Sequence, residues 1–87
     1  MKNKVLIKME VPSLDKSFDL FIPVNELVWR IIALTIKSCY EMCGYSYDQN
    51  KKCVLINKKT NEIYNPNSTI YDSTIRNGTE LIAVFIK

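Results

Sequence analysis

The sequence predicts an α+β fold, a mixed β-sheet packed on one long helix. The element order is ββαββ, then a short helical turn, then a final strand. Three observations predict it. Two neighbouring segments near the start alternate in polarity with the period of a strand. From Glu26 to Cys43 no Gly or Pro intervenes and the apolar residues recur at helical spacing. The stretch from Thr79 to Lys87 is the most apolar in the chain, as a strand covered on both faces requires, so it is expected at the sheet centre.

The first strand spans Lys4 to Val11, with Val5, Ile7, Met9 and Val11 on one parity and Lys4, Leu6, Lys8 and Glu10 on the other. Pro12-Ser13-Leu14-Asp15 breaks it with turn residues. The second strand places Phe18, Leu20 and Ile22 on one side and Ser17, Asp19 and Phe21 on the other, completing a hairpin. Pro23 ends that strand, because proline has no N–H for the ladder.

Asn25 is the expected N-cap of the helix, with Glu26 in the first turn where the dipole favours negative charge. Gly44 is the expected stop. Leu27, Val28, Ile31, Ile32, Leu34, Thr35, Cys39, Met42 and Cys43 fall on one broad face, predicted to be buried. Glu26, Arg30, Lys37 and Glu41 line the opposite strip, and Trp29, Ala33, Ile36 and Tyr40 form a shoulder between the two.

Residues 44–51 read as loop, Cys53 to Ile56 as a short strand, Lys58 to Asn61 as a turn and Glu62 to Tyr64 as a brief return strand. Ser68 or Thr69 is placed to cap one helical turn carrying Ile70 and Ile75. Asn77-Gly78 is a strong turn signal before the last strand.

At 87 residues the chain reads as one domain spanning 1–87, able to bury roughly 60% of its unfolded surface. Its 47% hydrophobic and 24% charged content is that of a folded globular protein and argues against disorder. The net charge of +3 comes from scattered lysines, with doublets only at Lys51-Lys52 and Lys58-Lys59. A nucleic-acid binder concentrates basic residues on one face, so no nucleic-acid partner is expected. The doublets read as solvated turns, with weak attraction to an acidic partner as the alternative.

The apolar runs Leu81–Ile86 and Ile31–Leu34 are too short for a bilayer, so no membrane insertion is expected. No secretory signal pattern precedes the first strand. The reading is therefore cytoplasmic, with three reduced cysteines and with sequons at Asn67 and Asn77 that stay unmodified.

The stretch Val54-Leu55-Ile56-Asn57, the lysine turn, Ile63-Tyr64, and Ile70 through Leu81 resemble the second half of ubiquitin-like β-grasp domains. There a Leu-x-Asp-x-x-Ile segment leads into a last strand opening with a core leucine; Ile70, Asp72, Ile75 and Leu81 hold those places here. The Asn-Lys pair and the Ile-Arg-Asn-Gly-Thr segment look most similar to the YukD-like (EsaB-like) branch. These are small ubiquitin-fold proteins encoded with type VII (WXG-type) secretion systems of Gram-positive bacteria. The motif likeness covers about residues 53–85. It implies a protein-binding module whose sheet face is the recognition surface. The sequence ends Val84-Phe85-Ile86-Lys87 without the Gly-Gly of the conjugated relatives, so conjugation is not expected.

Catalytic chemistry is poorly supplied. With no histidine there is no ordinary triad and no general base poised near neutral pH, and Gly44 and Gly78 are the only glycines, so there is no phosphate loop. The carboxylates Asp15, Asp19, Glu62 and Asp72 read as exposed charges. Cys39 and Cys43 share a helix face and Cys53 is a conceivable third ligand, but burial as plain thiols is the simpler reading. No catalytic residue, cofactor or metal is therefore assigned.

Strand parity then supplies the candidate site. With Val5, Ile7, Phe18, Leu20, Val54, Ile56, Leu81, Ala83 and Phe85 facing the helix, Leu6, Phe21, Leu55, Ile82, Val84 and Ile86 are predicted to face outward. Large exposed apolar patches mark interaction sites. The shoulder residues Trp29, Ile36 and Tyr40 form a secondary patch, unless the loop after Gly44, with Tyr45 and Tyr47, folds over them. The first expectation is an adaptor that docks on a protein partner, a component of a secretion apparatus at the inner side of the membrane. A homodimer closed through the same face is the second, and a thiol redox or metal protein the third.

Overall fold

The sheet is built from four strands, β1 (Lys4–Val11), β2 (Lys16–Pro23), β3 (Lys52–Asn57) and β4 (Glu80–Ile86), in the spatial order β2-β1-β4-β3. One helix, α1 (Val28–Met42), covers one face. The structure is a computed structural model and describes residues 3–47 and 52–86. Of the expected 44–51 loop, residues 48–51 lie outside the described residues, Lys51 of the first doublet among them, as do Met1, Lys2 and Lys87. The last strand does enter the centre, parallel to β1 and antiparallel to β3.

The hairpin follows the alternation. Pro12–Leu14 forms a single 3-10 turn and Asp15 closes it in the left-handed region at φ 54°, which aspartate tolerates better than most residues. The inner parity of β1, from Ile7 through Met9 to Val11, is buried, and Met9 pairs laterally with Leu81 of β4.

The helix starts later than the cap signal suggests. Leu27, not Asn25, is the N-cap, and no side chain caps it. The first amides are satisfied from a distance: Val28 N–H donates to the Ser68 carbonyl (2.9 Å) and Trp29 N–H to that of Pro66 (3.0 Å). Carbonyls of the 66–68 loop do the work of a capping side chain. At the other end Gly44, at φ +80°, carries the expected stop. Gly44 N–H donates to Glu41 and Tyr45 N–H to Tyr40, the paired closure that absorbs the last carbonyls of a helix.

The buried stripe of α1 is rotated from the predicted face. Val28, Ile31, Ile32, Ile36 and Cys39 are buried, whereas Leu34 and Met42 are exposed. Ile36, assigned to the shoulder, is 0% exposed and belongs to the core. A helix lying on one sheet buries only a narrow stripe. Extra apolar residues on its flank, here Leu34 and Met42, widened the apparent face and displaced its centre.

The predicted parity of β3 is corrected. Leu55 is 0% exposed and lies opposite Ala83, on the helix side. Val54 and Ile56, opposite Val84 and Ile82, point away from the helix. The run Cys53-Val54-Leu55-Ile56 carries no alternation of its own, so its register comes from β4 and not from its own pattern. The return segment reduces to one bridge, Ile56 to Ile63, framed by Asn57 N–H to Glu62 and Tyr64 N–H to Leu55. Residues 68–75 form turns and no helix, although Thr69 Oγ1 accepts the Asp72 N–H (3.1 Å) as a cap would. Ile70 and Ile75 are buried as expected.

Candidate protein-interaction surface

The registers order the outer sheet face into lateral rows. Phe21 lies beside Leu6; Asp19 beside Lys8, which lies beside Glu80; Ser17 beside Glu10, then Ile82, then Ile56. Beyond the end of β1 come Val84 beside Val54 and Ile86 beside Lys52. The six residues predicted to form one patch therefore do not meet. Leu55 is inside, and Leu6 and Phe21 form a pair of their own. The row Asp19, Lys8, Glu80 separates that pair from Ile82, Val84 and Ile86. Lys58 Nζ approaches Glu10 Oε1 at 3.6 Å and extends the charged belt toward β3.

Past that belt the face is aliphatic. Ile86 (50% exposed) and Val84 (37%) are open, and Ile82, Val54 and Ile56 are half-buried around them. Val54 and Ile56 belong to this aliphatic surface, on the side opposite to the one expected from the sequence. The partner residues Val84 and Ile82 on β4 were the signal, since the four must share a face once β3 pairs antiparallel. Phe21 is 58% exposed at the opposite end.

The secondary patch also divides. Tyr40 packs against Tyr47 (ring centroids 5.3 Å apart) and edge-on against Phe85 (5.9 Å), while its hydroxyl shares a 2.6 Å hydrogen bond with Ser13 Oγ. Here part of the segment after Gly44 does cover the helix. Trp29 stays exposed and lines a groove of about 420 Å³ with Ile32, Ala33, Leu34, Lys37, Tyr47, Cys53 and Pro66.

Cysteine chemistry is muted by the same packing. Burial, with a smaller contribution from Cys43, raises the Cys39 thiol above its ordinary value, and burial pushes Cys53 up to about 11. Both stay protonated thiols at neutral pH and are poor nucleophiles. Among the described residues no three Cys, Asp or Glu side chains converge as metal ligands. Glu62 is engaged in accepting a hydrogen bond from Thr74 (2.7 Å). No helix among the described residues is long and apolar enough to cross a membrane.

No protein-family model matches the chain, and no curated protein matches it by sequence. Solved structures do match in shape. The EccD5 ubiquitin-like domain from Mycobacterium xenopi superposes with a TM-score of 0.73 at 10% identity, over 97% of this chain and 96% of that one. The fold is ubiquitin-like. A chain of the ESX-5 inner membrane complex matches with a TM-score of 0.72 at 11% identity; this protein covers 97% of itself but only 21% of that longer chain. A chain of the toluene 4-monooxygenase HD complex matches at 0.78 and 10% identity, over 95% and 99% of the two chains. At such identities the ubiquitin-like fold is what these likenesses share, and the fold hosts unrelated activities.

Proposed function

We propose that this ubiquitin-like chain is a non-catalytic protein-binding module that docks through the β3–β4 half of its outer sheet face. The observation that carries the reading is the uncharged cluster of Ile82, Val84, Ile86, Val54 and Ile56 on two adjacent strands, bounded by Lys52 on one side and the charged belt on the other. An apolar centre inside a charged rim is the anatomy of a protein interface.

The partner we favour is a component of a type VII-like secretion apparatus in a Gram-positive bacterium, with this chain cytoplasmic and acting as accessory or adaptor. Two lines support it. The motifs in the second half resemble the YukD-like branch, and structures of similar shape include the EccD5 ubiquitin-like domain and a chain of the ESX-5 inner membrane complex.

Replacing Val84 and Ile86 together with Asp tests the reading. Affinity capture of secretion-membrane components from host extract is expected with the native chain and lost with the variant, while circular dichroism of the variant stays native. Unchanged capture refutes the assigned face. A native chain that sediments as a dimer, with a monomeric variant, replaces the adaptor reading with a homodimer closed through this face.

A further inference from the structure

The junction that feeds β4 into the sheet carries chemistry unrelated to the outer face. Asn77 and Gly78 are exposed, and Leu6 of β1 grips both. Leu6 N–H donates to Asn77 Oδ1 at 2.7 Å, and Gly78 N–H donates to the Leu6 carbonyl at 2.8 Å. Just beyond, Lys8 N–H donates to Thr79 (3.0 Å), so these bonds continue the parallel β1–β4 ladder upstream of β4.

We propose that Asn77 is a spontaneous modification site, a succinimide-forming Asn-Gly pair that the folded junction holds in check and whose isoaspartyl product unlatches the entry to β4. Glycine next in sequence suits the reaction because no Cβ shields its nitrogen. Hydroxide removes the Gly78 amide proton. The nitrogen then bonds to Cγ of Asn77, the Cγ–Nδ2 bond breaks, and Nδ2 takes a proton from water and leaves as ammonia, regenerating hydroxide. One water molecule opens the ring. Opening at Cγ leaves aspartate; opening at the main-chain carbonyl leaves isoaspartate, with the chain running through Cβ and Cγ.

In the fold the two bonds to Leu6 act in opposite senses. The one on Oδ1 polarises the side-chain amide, which favours attack. The one on Gly78 N–H blocks attack, because deprotonation would leave an amide anion facing the Leu6 carbonyl oxygen. Deprotonation precedes attack, so the second bond decides, and the reaction waits for local opening of the junction. Isoaspartate lengthens the main chain between the gripped atoms. It cannot keep both bonds to Leu6, and the lateral bonds of Thr79, to Lys8 and between Thr79 and Arg76, loosen with them.

The test compares the native chain with the same chain in urea at mildly alkaline pH, mapping acidic products at Asn77 by peptide mass spectrometry. The unfolded chain is expected to accumulate aspartate and isoaspartate there at a rate proportional to hydroxide. The folded chain is expected to be at least about tenfold slower, which an opening free energy of about 1.4 kcal/mol gives. Equal rates in the two states, or no product at Asn77 in the unfolded chain, overturn the proposal. Amide exchange separates the two products. Asn77→Asp keeps an acceptor for Leu6 N–H and is expected to protect Leu6, Lys8 and Gly78 as the native chain does, whereas the purified isoaspartyl form loses that protection. An isoaspartyl form as protected as the native chain overturns the unlatching.

Discussion

β1 and β3 flank the same central strand, yet their outward positions differ in kind. β1 presents Lys4, Leu6, Lys8 and Glu10; β3 presents Lys52, Val54 and Ile56. Their inward positions are alike, since Ile7 and Met9 on one side and Leu55 on the other are all shut in against α1. The charged side chains of β1 lie in the belt that crosses the face, between the exposed Leu6–Phe21 pair at one end and the aliphatic cluster of β3 and β4 at the other. The contiguous aliphatic surface on adjacent strands beyond that belt is what supports the proposed docking role.

Breaking the inner side should have the largest effect. Leu55→Ala is expected to lower unfolding free energy by about 2–5 kcal/mol, the range for emptying a fully buried leucine site; urea denaturation measures it. A loss below about 0.5 kcal/mol would return Leu55 to the outer face and undo the register on which the contrast stands. On the outer side, Val84→Asp alone is expected to cost about 1–2 kcal/mol, less than Leu55→Ala because Val84 is already 37% exposed, while still weakening partner capture.

Gly78→Ala probes the junction between β1 and β4. Outside the adjacent residues no atom lies within 4 Å of the added methyl, so backbone strain at φ +86° dominates the effect, about 1 kcal/mol by thermal or urea unfolding. The smallest change is expected in the charged belt. Glu10→Gln removes a half-exposed pair with Lys58 and should shift stability by about 0.5 kcal/mol or less, less still in high salt.

Cys53 gives a pH test of the inner side of β3. Its thiol is raised from an ordinary value of 9.0 to about 11 by burial. The unfolded chain therefore releases this proton first. Stability from this group is complete below pH 9 and falls as pH rises toward 11. Thiolate absorbance should titrate near 11 in the folded chain, and Cys53→Ala should remove that component together with its share of the alkaline loss.

Much of this was legible in the residues. β1 and β2 announce their register because their outer parity is largely polar, and Thr79–Lys87 announces a central strand by having no polar face. β3 was not legible, because Cys53 to Ile56 is apolar at every position and only Val84 and Ala83 across the ladder decide which way Leu55 turns. The helix face was misplaced for a related reason: Leu34 and Met42 are as apolar as Ile36 but lie off the contact line. The N-cap was invisible locally, since the groups that meet the Val28 and Trp29 amides come from Ser68 and Pro66. Of the candidate surface, Leu6, Phe21, Ile82, Val84 and Ile86 lie on the expected outer parity, and Val54 and Ile56 exchange places with Leu55.

The position of β4 has a consequence for how the polypeptide is made. Every lateral bond that joins the first hairpin to β3 passes through a strand synthesised after both. Until it emerges from the ribosome, β1 and β3 each keep a bare edge, and the greasy underside of α1 lacks part of its seat. Such a topology delays closure until β4 has been made and leaves the nascent chain adhesive in the meantime.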